Sequence, residues 1–62
     1  MNLDEVLVYM GWNQTDLADT VGVSRQAIVM WKVRHGGIPW QYAYKLVYMF
    51  PKLKPFLDRE LR

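Results

Sequence analysis

Arg25 and Gln26 stand side by side in a chain of 62 residues. They are the side chains best equipped for specific polar chemistry. Arg25 offers a rigid fork of donors, and Gln26 offers a donor and an acceptor together, so each can pair twice with one planar partner. Val29, Met30 and Val33 follow on the same side at helical spacing and bring no strong polar group. Lys32, Arg34 and His35 come just after. They are suited to holding an oxyanion, as are Asn13 and Gln14 upstream. Such a set recognises a partner and transforms nothing. No carboxylate pair, nucleophile–base pair, metal-ligand cluster or Gly-rich phosphate loop is present. His35, the single histidine, lies beside Gly36-Gly37 with no ligand or nucleophile partner in its pattern. An enzyme, a cofactor and a small-molecule substrate are therefore not expected.

Those side chains must be carried by two short helices meeting at a sharp turn. Leu17, Ala18 and Val21 recur at helical spacing, and Gly22 supplies the left-handed stop that only glycine adopts cheaply. Ser24 caps the next helix, and Val23 with Ile28 forms its hydrophobic staple. That helix runs from Arg25 to about Val33. It turns Ala27, Ile28 and Trp31 inward and leaves Arg25, Gln26, Val29, Met30 and Val33 outside. A link of three or four residues containing Gly is the sequence form of a helix-turn-helix, here over residues 14–33. Ala18 is small where the two helices must approach closely.

The remaining elements close a core behind this pair. Asn2 caps a first helix running to about Met10. Glu5 completes a capping box, Met1 and Val6 form a staple, and Leu3, Val6, Leu7 and Met10 form the apolar face. Gly11 ends it. Asn13 caps the second helix, with Trp12 packing on Leu17. Pro39 suits the first position of a fourth helix, which runs to about Phe50. A fifth runs from Lys52 to about Leu61, with Pro55 tolerable near its first turn. Trp40 to Phe50 lacks the alternation of a hairpin. The expected fold class is all-α, five short helices in a single domain, 1–62.

Composition narrows the partners. The net charge is +2, but it is unevenly placed: residues 1–19 carry Asp4, Glu5, Asp16 and Asp19 and no base, while residues 20–57 carry six bases and no acid. Asp58, Arg59, Glu60 and Arg62 cancel. A basic stripe is the electrostatic footprint of polyanion binding. There is no cysteine, so neither a disulfide framework nor a Cys-ligated zinc is expected. No apolar run approaches the ~20 residues of a membrane span, and no signal peptide is recognised. A cytoplasmic protein without membrane contact is expected.

A major groove admits an α-helix, and in this motif the N-terminal residues of the second helix meet base edges. Arg25 can then pair with guanine and Gln26 with adenine, each discriminating by ~1–3 kcal/mol. On a phosphate, Arg25 would add affinity without specificity. Val29 and Met30 can pack on thymine methyl groups, although Met30 can equally cover part of the core.

The joint pattern of Gln14, Leu17-Ala18, Val21-Gly22-Val23-Ser24, Ile28 and Trp31-Lys32 resembles the helix-turn-helix of phage repressors, especially the Cro family. About twenty residues carry the resemblance strongly. It extends more weakly to Ile38-Pro39 and Ala43-Tyr44-Lys45-Leu46. It implies a double-stranded DNA operator as partner and repression of transcription in a bacterial host. Asn13, Gln14 and Ser24 would lie on the DNA backbone, with Lys32, Arg34 and His35 as a phosphate clamp. An exposed loop histidine is the plainer role for His35.

The fourth helix is apolar nearly all round. Ala43, Leu46, Val47 and Phe50 form one face, and Trp40, Tyr44 and Tyr48 form another at i, i+4 and i+8. Such a helix must be buried on more than one side. A domain of this size buries only ~60 % of its unfolded surface, so a partner is expected to cover the second face. Phe56 and Leu57 are placed with that face, docked on Tyr48 or on a second copy, and a homodimer is expected. Two other readings remain open: an activator of the same fold class, and an antitoxin-like module whose fourth helix holds a different protein.

Overall fold

The computed structural model describes residues 1–60. Leu61, expected at the end of the last helix, lies outside the described residues. The described chain is all-α, with no strand. Its five helices are α1 (Leu3–Met10), α2 (Gln14–Val21), α3 (Arg25–Met30), α4 (Trp40–Met49) and α5 (Lys54–Glu60). A wide π turn, Trp31–His35, extends α3, and a 3₁₀ turn, Pro51–Leu53, leads into α5.

Capping chemistry sets most of the boundaries. The Asn2 side chain accepts from the Glu5 amide at 2.9 Å. The expected return bond of a capping box does not form, because the Glu5 carboxylate accepts from Arg59 Nη2 at 2.7 Å instead. The complete box sits one helix later. Asn13 Oδ1 accepts from the Asp16 amide at 2.8 Å, and Asp16 Oδ2 accepts from the Asn13 amide at 3.0 Å. Ser24 Oγ accepts from the Ala27 amide at 3.2 Å. Gly22 ends α2 at φ 77°, and Gly36 ends the π turn at φ 67°, where a side chain would be strained.

Three boundaries differ from expectation. α3, expected to reach about Val33, is α-helical only to Met30, where the π turn takes over. Pro39, at ψ 147°, is the cap before α4, so that helix begins at Trp40. Pro51 and Lys52 enter the last helix through a tighter turn, so α5 becomes α-helical only at Lys54 and Pro55 is its second residue. A proline there costs little because its missing amide would have no intrahelical partner.

Every element sends side chains into one core. Met1, Leu3 and Val6 come from the first helix and its cap; Leu17, Ala18 and Val21 come from α2. Ile28, Trp31, Ile38, Ala43, Leu46, Leu53 and Leu57 complete it. Burying one such aliphatic side chain stabilises by about 1.5–3 kcal/mol. Ala27, Val47 and Phe50 are half-buried at its edge, and Trp12 meets the Phe50 ring edge-on at 5.4 Å. The Ile38 amide donates to the Met1 carbonyl at 2.8 Å. Gly37 is the neighbour of that bond, and a Cβ there would fall on the Met1 carbonyl oxygen. Among the described residues, no helix is long and apolar enough to cross a membrane.

Candidate nucleic-acid interface

The link between α2 and α3 is Gly22, Val23 and Ser24. It is short because the Gly22 and Val23 amides both donate back to the Ala18 carbonyl, at 2.9 and 3.0 Å. Ala18 is fully packed at this crossing. Leu17, Val21 and Ile28 hold the pair from below, so the outward side of α3 is free of structural duty.

That outward side carries Arg25, Gln26, Val29 and Met30, all exposed. Arg25 does not lie alone. It lines one polar cleft of about 390 Å³ with Asn13, Gln14 and Thr15, at the N-terminus of α2. Free amides and the helix dipole favour an anion at such a position. The Asn13–Asp16 box already satisfies two of the amides there. Gln14 is half-buried, while Asn13 and Thr15 are exposed. Thr15 was not singled out by sequence reasoning; its place directly after Gln14 on the first turn was the available signal. Ser24 is exposed, but its oxygen is engaged as the α3 cap.

Beyond Met30 the backbone widens. Trp31 is buried and stacks on Tyr42, with ring centroids 4.6 Å apart. The Gly36 amide bonds to the Trp31 carbonyl, five residues back. Lys32, Val33, Arg34 and His35 are all exposed around this turn. Lys32 reaches toward α1, where its Nζ lies 3.6 Å from Asp4 Oδ1. Both groups are more than half exposed, so the pair contributes ~0–1 kcal/mol. The side chains of Arg34 and His35 have no ion pair or hydrogen bond among the described residues.

The expected partner-facing residues divide. Trp40, Tyr44 and Tyr48 are exposed along α4, Tyr48 at 88 %, and Trp40 meets Tyr44 edge-on at 5.8 Å. Leu57, by contrast, is 4 % exposed and belongs to the core of its own monomer. Leu53 and Leu57, four residues apart, share the inward side, and Phe56 turns toward α1. Phe56 packs on Tyr9 at 5.0 Å, under the Arg59 guanidinium at 4.9 Å. Neither Phe56 nor Leu57 covers Tyr48. Val8 and Tyr9 were also missed by sequence reasoning. With Asp4, Glu5 and Phe56 they line an open apolar groove of about 420 Å³. The periodicity of α1 pointed only at its inward side.

Among the described residues, no group of three or more His, Cys, Asp or Glu side chains could hold a metal ion. Compared with known protein families, curated proteins and solved structures, the chain matches none significantly.

Proposed function

We propose that the chain binds double-stranded DNA sequence-specifically, with α2 and α3 acting as a helix-turn-helix and α3 entering the major groove. One observation carries the reading. The side of α3 that the core leaves free presents Gln26, Val29 and Met30, and it is flanked by polar or basic groups at both ends. A groove-reading helix needs that layout, with base contacts in the middle and phosphate contacts outside. Arg25, beside Asn13 and Gln14, either reads guanine or holds the phosphate next to it. Lys32, Arg34 and His35 form the second phosphate group, with Ser24 near the first. Val29 and Met30 meet thymine methyl groups. No cofactor and no catalytic step take part.

By its resemblance to phage Cro proteins, the chain acts in the bacterial cytoplasm as a repressor. Two copies bind a two-fold symmetric operator through successive major grooves. The exposed strip Trp40, Tyr44, Tyr48 on α4 supports the dimer, because aromatic side chains are enriched at interface centres. The same strip, with the α1–α5 groove, favours a second reading in which the apolar surface holds a different protein, either polymerase for an activator or a toxin for an antitoxin.

Selection from a random duplex pool at fixed salt separates these. Enrichment of a symmetric motif with half-sites one helical turn apart is the expected result. Weak, salt-sensitive binding with no enrichment would defeat the DNA-reading role, and a stable one-to-one complex with another protein would replace it.

A further inference from the structure

Val33 is 75 % exposed, lies beyond the α-helical part of the reading helix, and packs no part of the core. Val33 follows Val29 by four residues, and Met30 and Trp31 between them keep α-helical dihedrals. Residues four apart on a helix are neighbours on one side, so Val33 extends the side that carries Val29 by one turn. At α-helical rise the two stand about 6 Å apart along the axis, within two steps of a duplex whose phosphates repeat every ~3.4 Å per strand.

Gln26 is the last side chain on this line with strong hydrogen-bonding groups. Past it, the line offers only the methyl groups of Val29 and Val33, flanked by the Met30 thioether. The major groove displays one apolar group, the C5-methyl of thymine. We infer that Val29 and Val33 form a paired methyl-reading ridge. Its ligand is a duplex bearing two C5-methyl pyrimidines on neighbouring or next-neighbouring base pairs. They are recognised by their methyl groups rather than by hydrogen bonds. The shared chemistry covers thymine and 5-methylcytosine, which carry the same methyl on the same ring carbon. This inference rests on the DNA-binding reading above and extends it to the kind of sequence bound.

The test uses duplexes enriched from the random pool. They are resynthesised with deoxyuridine for thymidine at one position at a time and titrated against the full chain at one salt concentration. Uracil keeps every hydrogen-bonding group and removes only the methyl. Two positions per half-site should each lose about three- to five-fold in affinity, the scale of one buried methyl. Val29→Ala and Val33→Ala should each remove the uracil effect at one position, with melting temperatures near that of the parent because both sites are exposed. At those positions 5-methylcytosine should bind more tightly than cytosine. Equal binding of cytosine and 5-methylcytosine at those positions would overturn methyl reading. Equal binding of uracil and thymine duplexes, with sequence selectivity intact, would overturn the inference while leaving DNA reading in place. Absence of any selective binding would remove both.

Discussion

Lys45 Nζ donates to the carbonyl of Val21 at 3.0 Å, across 24 positions of sequence. Val21 is the last residue of α2, and its carbonyl has no later helical amide to bond. Lys45 supplies that donor and sets a positive charge against the negative end of the α2 dipole. The same lysine lies on α4 between Tyr44 and Tyr48. The element bearing the exposed aromatic strip is thus fastened to the element that fixes the reading turn.

Replacing Lys45 with Met keeps the aliphatic stem and removes the bond. The contact is only partly buried, so we expect a loss of about 1 kcal/mol. In a chain this small that lowers the melting temperature by about 4–8 °C. Differential scanning calorimetry should show it, and an unchanged melt would mean that water replaces the lysine at no cost.

The two glycines with distinct constraints should respond differently. Gly22→Ala places a Cβ in the left-handed region with open space around it, a cost of about 1–2 kcal/mol. Gly37→Ala meets the Met1 carbonyl oxygen, which is backbone and cannot swing aside. It also disturbs the Ile38–Met1 bond, and we expect it to cost more than Gly22→Ala. Urea denaturation of the two variants ranks them, and the reverse order would contradict this account.

Asp4→Asn should free Lys32 and remove a carboxylate that repels phosphate. The Asp4–Lys32 contact is solvent-screened, so the gain is modest: up to about five-fold in duplex affinity at low salt, fading as salt rises. Fluorescence anisotropy at two ionic strengths measures it. Weaker binding by the variant would show that Asp4 positions Lys32 productively.

Tyr48→Asp should leave the monomer folded, because Tyr48 is almost fully exposed. It should weaken the proposed dimer by about tenfold or more. Leu57→Ala should do the opposite: it opens a cavity in the monomer, costs about 2–5 kcal/mol, and acts on the dimer only through unfolding. Sedimentation equilibrium together with circular dichroism distinguishes the two.

What the chain states locally was legible before any coordinates. Asn2, Asn13 and Ser24 act as caps, and Gly11 and Gly22 adopt the left-handed conformation, because these choices depend on neighbours within four residues. The inward sides of α2 and α4 follow from periodicity for the same reason. Features that depend on distant partners were not legible. The π turn accompanies the packing of Trp31 against Tyr42 on another helix. The half-formed box at Asn2 arises because Arg59, 54 positions from Glu5, takes its carboxylate. Leu57 was placed with Phe56 on the partner-facing side, whereas it follows Leu53 by four residues and shares that residue's buried side. In the candidate site, the residues of α3 could be read from spacing alone. The cleft joining Arg25 to Asn13, Gln14 and Thr15 required the crossing of two helices.

The core draws its first members, Met1 and Leu3, and its last, Leu53 and Leu57, from opposite ends of the sequence. A growing chain therefore has no closed interior until Leu57 has been added. Folding of this unit is expected to be all-or-none, and removing either set of core residues should not leave a smaller folded remnant.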